Sequence, residues 1–139
     1  MFNNSIDERT METKIRAKII EEMVGSPKEH IETTFNDLLE KIKKEFEVVE
    51  ETINEPEEIK GMWSTFAELE INFNDMNQLT GFCFDFMPSS VEIISPKELK
   101  VGHNDINNLL NDILAKLHQY SMMLKNTIAE NKILKKKLS

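Results

Sequence analysis

The chain has 139 residues, 40% hydrophobic and 30% charged, with a formal net charge of −8. That is apolar material for one domain with a real core, not for two domains and not for wholesale disorder. An acidic surface repels phosphate backbones, so nucleic-acid binding is disfavoured as a class.

The one cysteine, Cys83, has no second thiol with which to form a disulfide or share a thiolate metal site. No cofactor and no metal are expected. A chain that needs no staples fits a reducing compartment. Met1 to Thr10 is polar and does not read as a signal peptide, and no run approaches the ~18–20 apolar residues that span a bilayer. The expectation is a cytoplasmic protein without a membrane span.

Residues 1–10 read as a flexible arm, 11–100 as one domain and 101–139 as a long helix. From Thr13 to Val24, Ile15, Ala17 and Ile19 alternate with Lys14, Arg16 and Lys18, which is the period of a strand. Gly25 breaks that run. Ser26, Pro27 and Glu29 then form a predicted capping box, with Ser26 as the cap and Pro27 at the first helical position. The helix that follows carries Ile31, Phe35, Leu38, Leu39 and Ile42 on one stripe.

Glu45 to Ile53 reads as a second, acidic strand, and Asn54 to Gly61 as a loop. Met62 to Phe73 is the best strand: Trp63, Thr65, Ala67, Leu69, Ile71 and Phe73 share one face. Asn74 is the predicted cap of a second helix, whose apolar face is Met76, Leu79, Phe82, Cys83 and Phe86. Pro88 to Ser90 ends it, and Val91 to Ile94 is a last short strand.

The order strand, helix, strand, strand, helix, strand predicts two interleaved right-handed crossovers. The fold class is α+β, a βαββαβ two-layer sandwich with both helices on one face and a long C-terminal helix. The uncovered sheet face is expected to hold Ile20, Val49, Ile53, Phe66 and Ile94, and to need a cover.

Asn104 to Leu138 contains neither proline nor glycine. Its apolar residues recur by threes and fours. Leu110, Leu117, Leu124, Asn131 and Leu138 fall at heptad position a; Ile113, Tyr120, Thr127 and Leu134 fall at d. The expected dimer seam is Leu110, Ile113, Leu117, Tyr120, Leu124, Asn131, Leu134 and Leu138, a coiled coil joining two copies. A lone Asn131 at a favours two parallel strands in register. The alternatives are a helix folded back on its own sheet and a seam for a different protein.

Five lysines against Glu130 leave the last fifteen residues at +4, so the formal total leaves −12 for the rest. Lys132, Lys135, Lys136 and Lys137 form this basic tail. Stabilisation of the helix dipole is the simpler reading, and contact with nucleic acid, a membrane or an acidic neighbour is the sharper one.

No catalytic constellation is legible. His30, His103 and His118 lack partners at metal-ligand spacing. Cys83 reads as a small core residue with no base near it. The glutamates from Glu45 to Glu58 read as a solvated, edge-protecting face. Gly25 and Ser26, before a helix N-terminus, form a possible ligand loop.

The order of elements over residues 13–96 resembles the ferredoxin-like superfamily. Acylphosphatases in that superfamily would carry a glycine-rich loop with an arginine where Val24-Gly25-Ser26-Pro27 stands. Metal carriers would carry CxxC, and RNA-recognition motifs would carry aromatics among basic residues rather than Trp63 and Phe66 among glutamates. ACT regulatory domains are the most similar, with a glycine at the first strand–helix loop and pairing through their sheets. WSTFAELEINF and FCFDFMPSSVEII also resemble small archaeal proteins of this layout. The expected function is a non-enzymatic dimeric interaction or scaffold module with a protein partner. The alternatives are an ACT-like domain sensing a small ligand at Gly25 and Ser26, and a nucleic-acid adaptor acting through the basic tail.

Overall fold

The structure, a computed structural model, describes residues 14–139. The arm expected over 1–10 lies outside the described residues. The elements are β1 (Ile15–Gly25), α1 (Lys28–Glu45), β2 (Glu47–Ile53), β3 (Glu57–Ile59), β4 (Met62–Phe73), α2 (Met76–Phe86), β5 (Ser90–Ser95) and α3 (His103–Leu138). Residues up to Lys100 form one compact unit, and Val101–Ser139 form a second.

The sheet runs β2-β4-β1-β5, every neighbouring pair is antiparallel, and β3 pairs with the start of β4. β1 and β2 are thus parallel but separated by β4, as a split crossover requires. The α+β, ferredoxin-like expectation holds for this unit, and the long C-terminal helix is present.

Alternation on the two central strands places the core. Ile15, Ala17 and Ile19 of β1 and Ala67, Leu69, Ile71 and Phe73 of β4 are buried in one cluster with Phe35 and Leu39 of α1 and Leu79 and Phe82 of α2. Phe46, at the turn from α1 into β2, meets Phe73, Phe82 and Phe86 edge-on, with centroids 5.9, 5.1 and 5.7 Å away. Such pairs add about 0.5–1.5 kcal/mol each beyond the area they bury.

Several local expectations are corrected. The segment expected as a loop over 54–61 contains β3, joined to β4 by a tight turn. Lys60 and Gly61 both have positive φ (52° and 81°), the backbone a two-residue type I′ hairpin turn demands. The predicted capping box at Ser26 does not form: Pro27 occupies the cap position of α1 and no side chain caps it. The second helix is capped one residue later than expected. Asp75 Oδ1 accepts from Gln78 N–H at 2.8 Å, and Gln78 Oε1 accepts from Asn74 N–H at 2.6 Å. Asp75 is thus the side-chain cap of α2, and Gln78 reaches past it to the residue before.

The face of the sheet away from α1 and α2 is less apolar than expected. Ile53 stands opposite buried Ala67 and so belongs to the helix side. Ile20 and Phe66 do lie on the outer face, among charges: Arg16 there meets Glu70 Oε2 through Nη2 at 2.6 Å and Nε at 2.9 Å. Glu51 leaves the solvated acidic row too. It points toward α1 and pairs with Lys43 at 2.7 Å.

Candidate association surface

The features that bear on function are a long helix with an apolar stripe, a buried acid, and a glycine turn. α3 has 36 residues, about 54 Å of helix at 1.5 Å per residue. None of its residues is buried. Leu110, Leu117, Leu124 and Leu134 are 53–61% exposed. Ile113 and Tyr120 are somewhat less so, and Leu138 more. Every residue assigned to the seam therefore stands on one continuous helix in the expected 3-4 spacing, on a single stripe. Thr127, at a d position, turns its hydroxyl back to Met123 O at 2.9 Å. That bond satisfies the hydroxyl within the helix itself. Lys135, Lys136 and Lys137 occupy the last turn, where positive charge opposes the macrodipole.

Gly25 and Ser26 sit where the chain leaves β1 for α1. A Cβ on Gly25 would come within 2.6 Å of Ile31 Cδ1. The close approach of α1 to the strand end is a structural reason for this glycine. A cleft of about 320 Å³ opens nearby, lined by Lys28, Glu32, Phe35, Ile53, Pro56 and Thr65 among others. The Thr65 hydroxyl on its wall donates to Asn54 O at 3.1 Å, and Lys28 lies 5.0 Å over the Trp63 ring.

The residue missed in the sequence is Glu21. It continues the alternation of Ile15, Ala17 and Ile19, so it faces the core, and it is 2% exposed. Its Oε1 has no hydrogen-bond partner. Burial pushes its pKa up from 4.5 to about 7, because a carboxylate in an apolar layer disfavours its charged form. Cys83 was expected to have no base near it, yet the Glu21 carboxylate is within electrostatic range. Burial, and then that negative charge, push the thiol up. The arrangement holds the sulfur in its unreactive form, the reverse of nucleophile activation. Among the described residues no group of three or more His, Cys, Asp or Glu side chains is placed to hold a metal ion. No helix among them is long and apolar enough to cross a membrane.

Comparison with known proteins bears on the whole of this architecture. No solved structure matches the chain. A protein of the archaeon Methanocaldococcus jannaschii titled "Uncharacterized protein MJ0538" is 34% identical over 100 residues, which cover 69% of this chain and 38% of the relative. The chain thus matches well under half the length of that relative. The model of the MJ0538 family matches residues 16–137, from the start of β1 to the last turn of α3. The sheet unit and the long helix fall within one family pattern, and the chain belongs to the MJ0538 family.

Proposed function

We propose that the chain is a non-enzymatic cytoplasmic interaction module, in which α3 joins two copies in parallel and presents two sheet units to a protein partner. The observation that carries this reading is a 36-residue helix with no buried residue, along which exposed Leu110, Ile113, Leu117, Tyr120, Leu124, Leu134 and Leu138 fall at heptad positions a and d. A stripe of that length in water is stabilised by a partner with the same repeat.

The flanking positions favour two parallel strands. In a parallel pair each g residue faces the e residue five positions later on the partner helix. Leu109 then meets Leu114, Met123 meets Ile128, and Glu130 meets Lys135. Two of these contacts widen the apolar seam and one is an ion pair. Asn131, at a, faces its own twin and satisfies its amide there. The single cysteine fits the reducing compartment.

Light scattering on the full chain and on Asn131→Leu tests the proposal. The wild type should have twice the chain mass of 16.2 kDa, and the variant should shift to a mixture with higher states. A monomer in both cases overturns it.

A further inference from the structure

The two edges of the sheet are built differently. The β2 edge carries Glu47 and Glu50, and its ladder with β4 is interrupted by a bulge between Val48 and Glu50. Charges and bulges on an edge are the devices that stop strands from adding to it. The β5 edge, SVEIIS, has neither lysine nor proline within it and one charge, Glu92. All six of its residues are exposed, and among the described residues no strand pairs with its outer side. Its register against β1 is regular from Ser90 to Ile93, and it shifts only beyond that point.

The core layer also stops one strand short. Val91 stands opposite Ile19, and Ile93 opposite Ala17. Those partners on β1 are fully buried, whereas Val91 and Ile93 are each 39% exposed. Two β-branched residues in phase with the core therefore lie at its open margin.

We infer that β5 is a pairing edge for β5 of a second copy, so that two sheets join antiparallel into one. A two-fold axis makes any strand available to itself in this way. The second copy supplies what the margin lacks: its own Val91 and Ile93 continue the apolar layer from one core into the next. Charge also permits it. Glu92 stands opposite Lys18 of its own sheet, and registers centred on Val91 or on Ile93 keep the two Glu92 residues from facing each other. A register centred on Glu92 would oppose like charges and is disfavoured. The β5 edge shares no residue with the α3 seam, so the two can be disabled separately.

The test uses the full chain with the seam disabled by Leu117→Glu and Leu124→Glu, alone and combined with Ile93→Lys. The seam-disabled chain should remain a dimer by light scattering, and Ile93→Lys should reduce it to a monomer. Hydrogen exchange on the unsubstituted chain provides a check that needs no variant. Amides of β5 should exchange at least about tenfold faster on dilution, while those of β1 stay protected. A seam-disabled monomer overturns the inference, as does a dimer that survives Ile93→Lys. Protection of β5 that persists in a monomer points to a cover from within the chain and overturns it too. Loss of the α3 dimer without loss of the β5 pairing would sink the proposed function alone.

Discussion

Cys83 of α2 lies within electrostatic reach of the Glu21 carboxylate on β1, and burial together with that charge pushes its thiol above the ordinary range. The charged form of either acid is therefore disfavoured where it stands.

The first consequence is a pH dependence of stability. Glu21 is raised to about 7 in the folded chain against 4.5 ordinarily. Between those values the folded state binds more protons than the unfolded state, so stability falls as pH rises. The contribution is complete below about 4.5 and gone above about 7, at a limit of roughly 3 kcal/mol for a shift of this size. Glu21→Gln removes the titration. Urea unfolding at about pH 5 and pH 8 should show the wild type losing more stability than the variant on going to the higher pH, and equal losses would show that Glu21 does not titrate in this range.

A second consequence concerns the thiol itself. Alkylation of Cys83 in the folded chain should be slow at neutral pH and accelerate when the chain is denatured in urea. Glu21→Gln, by taking away the charge, should speed the folded-state reaction by less than about tenfold, since one unit of pKa is tenfold in thiolate. Burial, the larger cause, remains in the variant. A rate in the variant equal to that of a free thiol would mean that charge and not burial protects the sulfur.

The caps give a sharp contrast between two residues that look alike in the sequence. Asp75 receives the Gln78 N–H, whereas Ser26 precedes a cap position that no side chain fills. Asp75→Ala should cost about 1 kcal/mol, the usual worth of a cap. Ser26→Ala should cost a few tenths at most. Thermal unfolding of the two variants separates them, and equal losses would mean that Ser26 caps α1 after all.

That contrast shows where the sequence was readable. Ile15, Ala17 and Ile19 revealed β1, and the run from Trp63 to Phe73 revealed β4, because burial imposes a period of two on both. The element order then left one economical topology. Ser26-Pro27-Lys28-Glu29 misled because a capping box depends on the backbone angle at one residue, which composition does not set. Lys60 and Gly61 hid a hairpin, since a non-glycine with positive φ leaves little trace in composition. Glu21 was hidden by its charge. The alternation continues through it, but a carboxylate in phase with a core is rare, so the apolar pattern ends at Ile19. Both edges of the sheet were visible as strings of residues. Their difference in guarding depended on knowing which strands were outermost.

The helix α3 carries a thermal prediction of its own. Between His103 and Asp112, α3 holds four asparagines and two aspartates, residues that favour helix less than alanine does. Alone in water this opening stretch would be only partly helical, and its loss of helix on heating would be broad. A parallel partner removes that weakness by burying Ile113, Leu117 and Leu124, and it couples folding to association. Diluting the chain about a hundredfold should then lower the stability of the dimer by about 2.7 kcal/mol. Circular dichroism at the helix minimum should register this as an earlier, concentration-dependent midpoint. Leu117→Glu should remove the share of the dependence that belongs to α3 and leave the loss of that helix broad at every concentration. A sharp midpoint that ignores concentration in the wild type would mean that α3 holds its helix without a second copy, and the seam would have to serve something else.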